Sequence, residues 1–197
     1  MKKLLIFIMI MITYVNASNL FAGGETEAPT KSKRHCLIGG GLGLNSLSIK
    51  DSDNDSLVNI DIAIVSASAP ATDKWGYTGF TSLSKSIFIM DNYGTDYSAM
   101  DIISFDNILG FGKSFKAKGM DWASMGMGVH IGTAKYSVNE YSLSILSVGP
   151  AFLITTGKVN GMGLVAEIHY DAVTTKNSID DVFDSRFGYS LMWTYCY

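Results

Sequence analysis

Cysteine, charge and long apolar runs are all scarce in this sequence of 197 residues. The two cysteines are Cys36 and Cys196, and neither directly follows the amino-terminal apolar segment, so a lipid-modified cysteine is not expected. Only 17% of the residues are charged, no polybasic run occurs and the net charge is -3, which disfavours a nucleic-acid partner. After residue 22 no apolar stretch reaches the roughly 18 residues that a membrane-spanning helix needs.

The amino terminus has the three parts of a secretory signal peptide in their usual order. The basic pair Lys2 and Lys3 precedes an apolar run from Leu4 to Ile12, and small residues follow. Cleavage after Ala17 and cleavage after Ala22 both meet the small-residue requirement, and the sequence does not choose between them. We therefore expect an exported bacterial protein.

The sequence predicts three consecutive parts. Residues 1–22 form the signal peptide. Residues 23–34, GGETEAPTKSKR, are polar and aperiodic, which predicts a flexible leader. Residues 35–197 are the right length for one compact domain, and no internal repeat is evident in them.

Within this domain, apolar residues alternate with small or polar ones, the pattern of half-exposed β-strands. About eight such segments are separated by turn-forming residues, which predicts an all-β, antiparallel up-and-down transmembrane β-barrel. In the second segment, Val58, Ile60, Ile62 and Ile64 alternate with Asn59, Asp61 and Ala63. In the fifth, Met125, Met127, Val129 and Ile131 alternate with Gly126, Gly128, His130 and Gly132.

The two faces of these strands differ in side-chain size as well as in polarity. Glycine, serine and alanine predominate on the less apolar face, which suits the interior of a narrow barrel. The chain is 47% apolar with a mean hydropathy of +0.20, so we expect the bulky face to contact the lipid of the bacterial outer membrane. Aromatic residues form two expected interfacial girdles: Trp75, Tyr77, Trp193, Tyr195 and Tyr197 at one end, and Tyr93, Tyr97, Tyr136 and Tyr141 at the other.

The connections are expected to differ between the two ends of the barrel, as in outer-membrane barrels. Short turns are predicted on the side of the amino terminus: 69–74, 116–121 and 156–161. Polar and mostly longer loops are predicted on the other side: 50–56, 91–98, 133–140 and 174–186.

Three segments depart from a simple alternation. In the third and fourth, Lys85 and Asn107 fall on the face assigned to lipid, so the third strand is expected to be bulged or shifted in register. In the sixth, the alternation changes parity after Ile145, and a bulge near Gly149 and Pro150 would explain the change.

The last ten residues, GYSLMWTYCY, resemble the terminal strand signal of bacterial outer-membrane barrels. The match consists of Gly188, Tyr189, Leu191, Trp193, Tyr195 and Tyr197. In size and strand count, residues 36–197 resemble the eight-stranded OmpA-like and OmpX-like barrels of the porin-type superfamily. This resemblance implies recognition by the barrel-insertion machinery through the terminal strand, a surrounding of outer-membrane lipid and a role at the cell surface.

The titratable residues Glu167, His169 and Asp171 occupy alternate positions, so all three are expected to point into the barrel, as is His130. A histidine oriented by a carboxylate can perform acid/base catalysis, and acyl hydrolases and acyltransferases exist on such barrels. No serine stands in a recognisable nucleophile motif, so we favour a hydrogen-bonded, charge-paired plug. A metal held by His130, His169 and Glu167 is not expected, since no close ligand spacing occurs, and no cofactor is expected.

Cys36 and Cys196 lie near the start of the first strand and the end of the last, which become neighbours when a barrel closes. A disulfide across this seam would suit an oxidising compartment. The alternation, however, turns Cys196 inward and Cys36 outward, which opposes the bond.

The sequence favours an integral outer-membrane protein with a structural or adhesin-like role, an interior plugged by side chains, no wide pore, and loops that reach an extracellular ligand. It is not expected to be an enzyme. Two alternatives stay open: a lipid-modifying acyl hydrolase or acyltransferase that uses an interior histidine, and a soluble periplasmic carrier of an apolar ligand, similar to lipocalins.

Overall fold

The structure is a computed structural model that describes residues 34–50, 55–91, 93–95, 100–138, 141–159, 162–176 and 183–196. Its eight strands are β1 (His35–Ile49), β2 (Ser56–Ala69), β3 (Trp75–Asp91), β4 (Asp101–Ala117), β5 (Met120–Val138), β6 (Tyr141–Val159), β7 (Met162–Lys176) and β8 (Phe183–Cys196). No helix in this part of the chain is long and apolar enough to cross a membrane. The predicted signal peptide and all but the last residue of the predicted leader lie outside the described residues.

The strands close into a barrel. Each strand pairs antiparallel with the next, and β1 also pairs with β8, so that Leu42 lies between Ile62 of β2 and Leu191 of β8. Closure satisfies the backbone hydrogen bonds of both edge strands. The predicted fold class, an all-β antiparallel barrel of about eight strands, is confirmed.

The predicted orientation of the two faces is also correct. Ile62, Met127 and Leu191 point outward and are 52%, 72% and 44% exposed. Asn59 and Asp61, which alternate with Ile62, are buried inside the barrel. A shift of one residue would exchange these two sets, so the alternation specifies the register of each strand.

The irregularity expected in the third strand is a β-bulge. Asp61 pairs with Ser86 whereas Ile60 pairs with Phe88, so Ile87 is the extra residue. Lys85 remains on the outer face, where its Nζ lies 3.2 Å from Asp101 Oδ1. Asn107 also occupies an outward position, but its side chain is covered and its Oδ1 accepts a 2.9 Å hydrogen bond from Thr81 Oγ1.

The bulge expected near Gly149 and Pro150 is wrong. The pairing of β6 with β5 runs without a shift from Tyr141 to Thr156. Ile145 instead points inward and is 2% exposed, because this end of the barrel interior is itself apolar. The change of parity in the sequence therefore marks inward apolar residues at the end of the strand.

The strands extend further into the predicted connections than the sequence suggested. The β4–β5 turn consists of Lys118 and Gly119 alone, and Gly119 takes a φ of +86°, which favours glycine. The predicted loop 133–140 is mostly strand, since β5 continues to Val138 and β6 begins at Tyr141. Tyr136, expected in the outer girdle, is buried inside, where it lies 5.7 Å from the ring of Phe183.

The inward position of Ile145 can be tested with a matched pair of variants. We expect Ile145→Ala to lower the free energy of unfolding by about 2 to 5 kcal/mol, because it leaves a cavity in a packed interior. Val148→Ala, on the outer face at 44% exposure, should cost clearly less. Urea unfolding of the folded chain in detergent measures both values, and a larger loss at Val148 would contradict the observed register.

Candidate functional site: the polar layer inside the barrel

The barrel interior contains polar side chains between two apolar clusters. The turn-end cluster lies toward the short turns and consists of Leu37, Ala63, Val65, Ala67, Ala69, Phe80, Ile108, Trp122, Ala151, Leu153, Val165 and Met192. The loop-end cluster consists of Leu47, Leu57, Ile89, Ile102, Ala134, Tyr136, Ile145, Val173 and Phe183. We call the residues between them the polar layer: Asn45, Asn59, Asp61, Asp106, His130, Glu167, His169, Asp171 and Arg186, all at most 8% exposed.

The titratable residues identified in the sequence come together in this layer. His130 Nδ1 lies 2.7 Å from Asp171 Oδ2, and its Nε2 lies 3.2 Å from Asp106 Oδ1. His169 Nδ1 lies 2.9 Å from Glu167 Oε2, and its Nε2 is 3.8 Å from Asp171 Oδ2. Carboxylates and imidazoles thus alternate along one chain of contacts.

Arg186 is the member of the layer that sequence reasoning missed. Its guanidinium donates to Asp106 through Nη1 at 2.7 Å and through Nη2 at 3.4 Å, and its Nε donates to Asn45 Oδ1 at 2.9 Å. From the sequence, Arg186 was assigned to the end of a loop. Alternate residues of a strand share a face, and on β8 the even-numbered residues Ser190, Met192 and Thr194 point inward. Extending this alternation back along the strand to Arg186 is the signal that could have found it.

Asp61 forms a second centre in the layer. Asn45 Nδ2 and Asn59 Nδ2 each donate to its carboxylate at 2.6 Å, and Ser86 Oγ donates at 2.5 Å. Asn45 therefore links the Asp61 centre to Arg186, and the two centres belong to one network.

Glycine makes room for this network. A Cβ atom at Gly188 would overlap the His169 ring and Asn45 Oδ1, and one at Gly132 would overlap Asp106, His130 and Ser147. Gly188 belongs to the terminal motif, but the structure also gives it a local reason: the cross-strand partner of Gly188 is His169, whose ring lies over it.

The two imidazoles are stacked, with ring centroids 3.9 Å apart and planes 8° from parallel. One ligand atom from each of His130, His169 and Asp171 lies within 4.8 Å of the others, a spacing that could hold a metal ion. The ring nitrogens, however, carry their lone pairs in nearly parallel planes, so the two imidazoles cannot converge on one ion as they stand. The expected absence of a metal stays a prediction.

A catalytic use of the same residues is the alternative that the sequence leaves open, and no finding tests it. His130 is 0% and His169 is 4% exposed, and the two apolar clusters lie between the layer and the two ends of the barrel. A cavity of about 20 Å³ borders the layer beside Asp61, Glu167, His169 and Arg186. That volume suits a single water, whose requirement is about 10 to 15 Å³, and excludes an organic substrate.

The terminal strand places its aromatic residues as the sequence predicts. Tyr189, Leu191, Trp193 and Tyr195 all face outward and are exposed, and Tyr197 lies outside the described residues. Cys36 has a free thiol, while Cys196 pairs through its backbone with Leu37. The side chain of Cys196 lies outside the described part of the chain, so the possible disulfide, which the alternation opposes, is not tested.

Comparison with solved structures identifies small barrels. Neisserial surface protein A (NspA) is 10% identical, with a TM-score of 0.50 over 82% of this chain and 94% of that chain. The outer membrane protein OprG from Pseudomonas aeruginosa is 13% identical, with a TM-score of 0.49 over 83% and 95%. Ail, the attachment invasion locus protein of Yersinia pestis, in complex with the heparin analogue sucrose octasulfate, is 14% identical, with a TM-score of 0.47 over 83% and 99%.

No family profile matches the chain, and no curated protein matches it. The similarity to NspA shows a shared fold. The expected resemblance is thereby confirmed at the level of fold: the chain is a closed, eight-stranded antiparallel barrel.

The coupling between Arg186 and Asp106 gives a prediction for the polar layer. Arg186→Met leaves a buried carboxylate without its cation, so we expect the free energy of unfolding to fall by about 3 to 5 kcal/mol. The double variant Arg186→Met with Asp106→Leu removes both charges and should recover most of this loss. Urea unfolding in detergent measures the three values.

Asp101→Asn is the matched control, because it breaks the exposed ion pair between Asp101 and Lys85. An exposed pair contributes at most about 1 kcal/mol. If Arg186→Met costs no more than this control, or if the double variant is no more stable than the single one, Arg186 and Asp106 are not coupled in the folded chain.

Proposed function

We propose that the chain is an integral barrel of the bacterial outer membrane, closed to wide-pore transport, that acts as a structural or surface-interaction protein through its loops. The observation that carries the proposal is that polar and apolar side chains are placed the opposite way from those of a water-soluble protein. Apolar side chains cover the outside of the barrel, and the charged network lies inside. This arrangement is stable when the outer wall of the barrel contacts the hydrocarbon chains of a membrane.

The outer wall supports a membrane position. Large apolar side chains cover it on several neighbouring strands, among them Ile64 at 68%, Ile87 at 58%, Phe111 at 60%, Met127 at 72% and Tyr170 at 58% exposure. A continuous apolar surface of this kind is rare on a soluble monomer and marks contact with lipid or protein.

The interior supports the absence of a wide pore. The turn-end cluster, the polar layer and the loop-end cluster follow one another along the barrel axis, and their residues are at most 9% exposed. An eight-stranded barrel is just wide enough for side chains to fill it. The same filling weakens the alternative of a soluble carrier, because the cavity of about 20 Å³ that borders the polar layer among the described residues has no room for an apolar ligand.

The loops support an interaction at the surface. In sequence, the connections at the end opposite the short turns are rich in carboxylates and poor in lysine: Asp51, Asp53, Asp55, Asp96, Glu140, Asp180 and Asp181 against Lys50. These connections therefore carry a net negative charge in the sequence. A partner with a basic surface suits their charge.

The enzyme alternative has less support. The imidazoles of His130 and His169 contact carboxylates and each other, and both are buried. A general base must come within hydrogen-bond reach of its substrate, and these two are separated from both ends of the barrel by apolar side chains.

Cell fractionation tests the membrane position. We expect the chain in the outer-membrane fraction, extracted only with detergent, and we expect its gel mobility to change on boiling as the closed barrel unfolds. A chain that appears in the periplasmic extract without detergent would remove the proposal and favour the soluble carrier.

Epitope tags test which end faces outward. A tag inserted between Asp53 and Asn54, in the β1–β2 loop, should bind antibody on intact cells. A matched tag between Lys118 and Gly119, in the β4–β5 turn, should bind antibody only after the outer membrane is permeabilised. Labelling of the turn and not of the loop on intact cells would reverse the orientation and contradict a surface role for the loops.

A further inference from the structure

An aromatic patch lies on the outer wall of the barrel next to the short turns. Trp75 and Phe111 are 66% and 60% exposed, and their rings stack with centroids 5.9 Å apart and planes 8° from parallel. Tyr77 is the cross-strand partner of Phe111 and points to the same side. We call Trp75, Tyr77 and Phe111, with the two cations described next, the turn-end patch.

Two cations flank these rings. Lys113 Nζ lies 5.6 Å from the centre of the Trp75 ring, and Arg34 Cζ lies 4.8 Å from the centre of the Tyr77 ring. Arg34 is also fixed by a 2.7 Å hydrogen bond from its Nη2 to the backbone oxygen of Tyr77. Both cations are therefore held at aromatic faces, where the ring quadrupole attracts a positive charge.

Neither Arg34 nor Lys113 is paired with a carboxylate of the described residues. Among the described residues, Arg34 and Lys113 form no ion pair within 4 Å, unlike Lys85 with Asp101 and Arg186 with Asp106. Their positive charge is thus available to an external anion.

The neighbouring turns add further positive charge. Lys74, Lys116 and Lys118 are exposed there, against the carboxylates of Asp73 and Asp121. This end is therefore basic on its outer rim, whereas the loops at the opposite end are acidic. An anion that approaches along the outer wall is attracted to the turn end and repelled by the loops.

We propose that the turn-end patch binds an anionic glycerophospholipid of the adjoining membrane leaflet. The phosphate lies between Arg34 and Lys113, and the acyl chains lie along Trp75 and Phe111. A lipid fits better than a soluble anion, because the two cations adjoin an apolar aromatic surface that a free phosphate would leave uncovered. This inference rests on the proposed membrane position of the barrel.

Native mass spectrometry of the folded full chain tests the inference. The protein in detergent is mixed with equal amounts of phosphatidylglycerol and phosphatidylcholine of the same acyl length. The lipid molecules of each kind that stay bound to the protein after the detergent is removed are then counted. A basic side chain near a membrane surface contributes about fivefold to the retention of an anionic lipid, so two cations predict a preference for phosphatidylglycerol on the order of 25-fold.

The variants locate the lipid. Arg34→Gln combined with Lys113→Gln should reduce the preference to near unity, while the gel shift on boiling confirms that the barrel still folds. Lys85→Gln combined with Lys135→Gln is the matched control, since both lysines are exposed on the outer wall toward the loop end. This control pair should leave the preference unchanged.

Equal retention of the two lipids, or an equal loss in the control pair, would overturn the inference. Competition by millimolar inorganic phosphate would also overturn it, because the patch would then bind any small anion. A chain that needs detergent but shows no lipid preference contradicts only the turn-end patch. A chain that is soluble without detergent contradicts the proposed membrane position.

Discussion

The structure depends on how a barrel of eight strands fills its own interior with charge. An interior of this width has little room for water, so inward polar groups must bond to one another. Arg186 most needs hydrogen-bond partners and a counter-charge, because it is a fully buried cation. Asp106, on the opposite wall of the barrel, accepts its hydrogen bond and supplies the negative charge. Since Asn45 of β1 also accepts from Arg186 of β8, one guanidinium joins both strands of the closing seam to β4.

Much of the fold could be predicted from the alternation of residues, because a strand that slips by one position exchanges its two faces. Ile62 and Asp61 could therefore be assigned to opposite faces from the sequence alone, and so could Met127 and His130. The inward meeting of His130, His169 and Asp171 followed from the same rule. The positions of their hydrogen bonds did not, since pairing between distant strands sets them.

The failures have a common physical cause. Inward positions were expected to be small or polar, but the two ends of the interior are apolar, so Ile145 and Tyr136 were assigned to the outer face. Arg186 was missed because a lone arginine next to a polar segment resembles a loop residue. Only the pairing of β8 with β1 and β7 shows that it lies opposite Leu47 and Asp171 within the barrel.

Gly188 shows how one residue can meet two constraints. In the sequence it begins a terminal motif whose aromatic residues face outward, and that outward face is what an external machinery could contact. In the barrel its missing side chain is what lets the His169 ring lie over β8. The two requirements act on opposite faces of the same strand, so each can be met without disturbing the other.

The packing of the barrel interior limits which of the described side chains are accessible. Among the described residues, apolar clusters lie on both sides of the charge network, so a molecule that reaches His130 or Arg186 from either end must first displace packed side chains. The accessible side chains of the described residues are therefore those of the outer wall and of the two ends. The acidic loops and the basic rim near Lys113 differ in sign, so the field of the chain favours cations at one end and anions at the other.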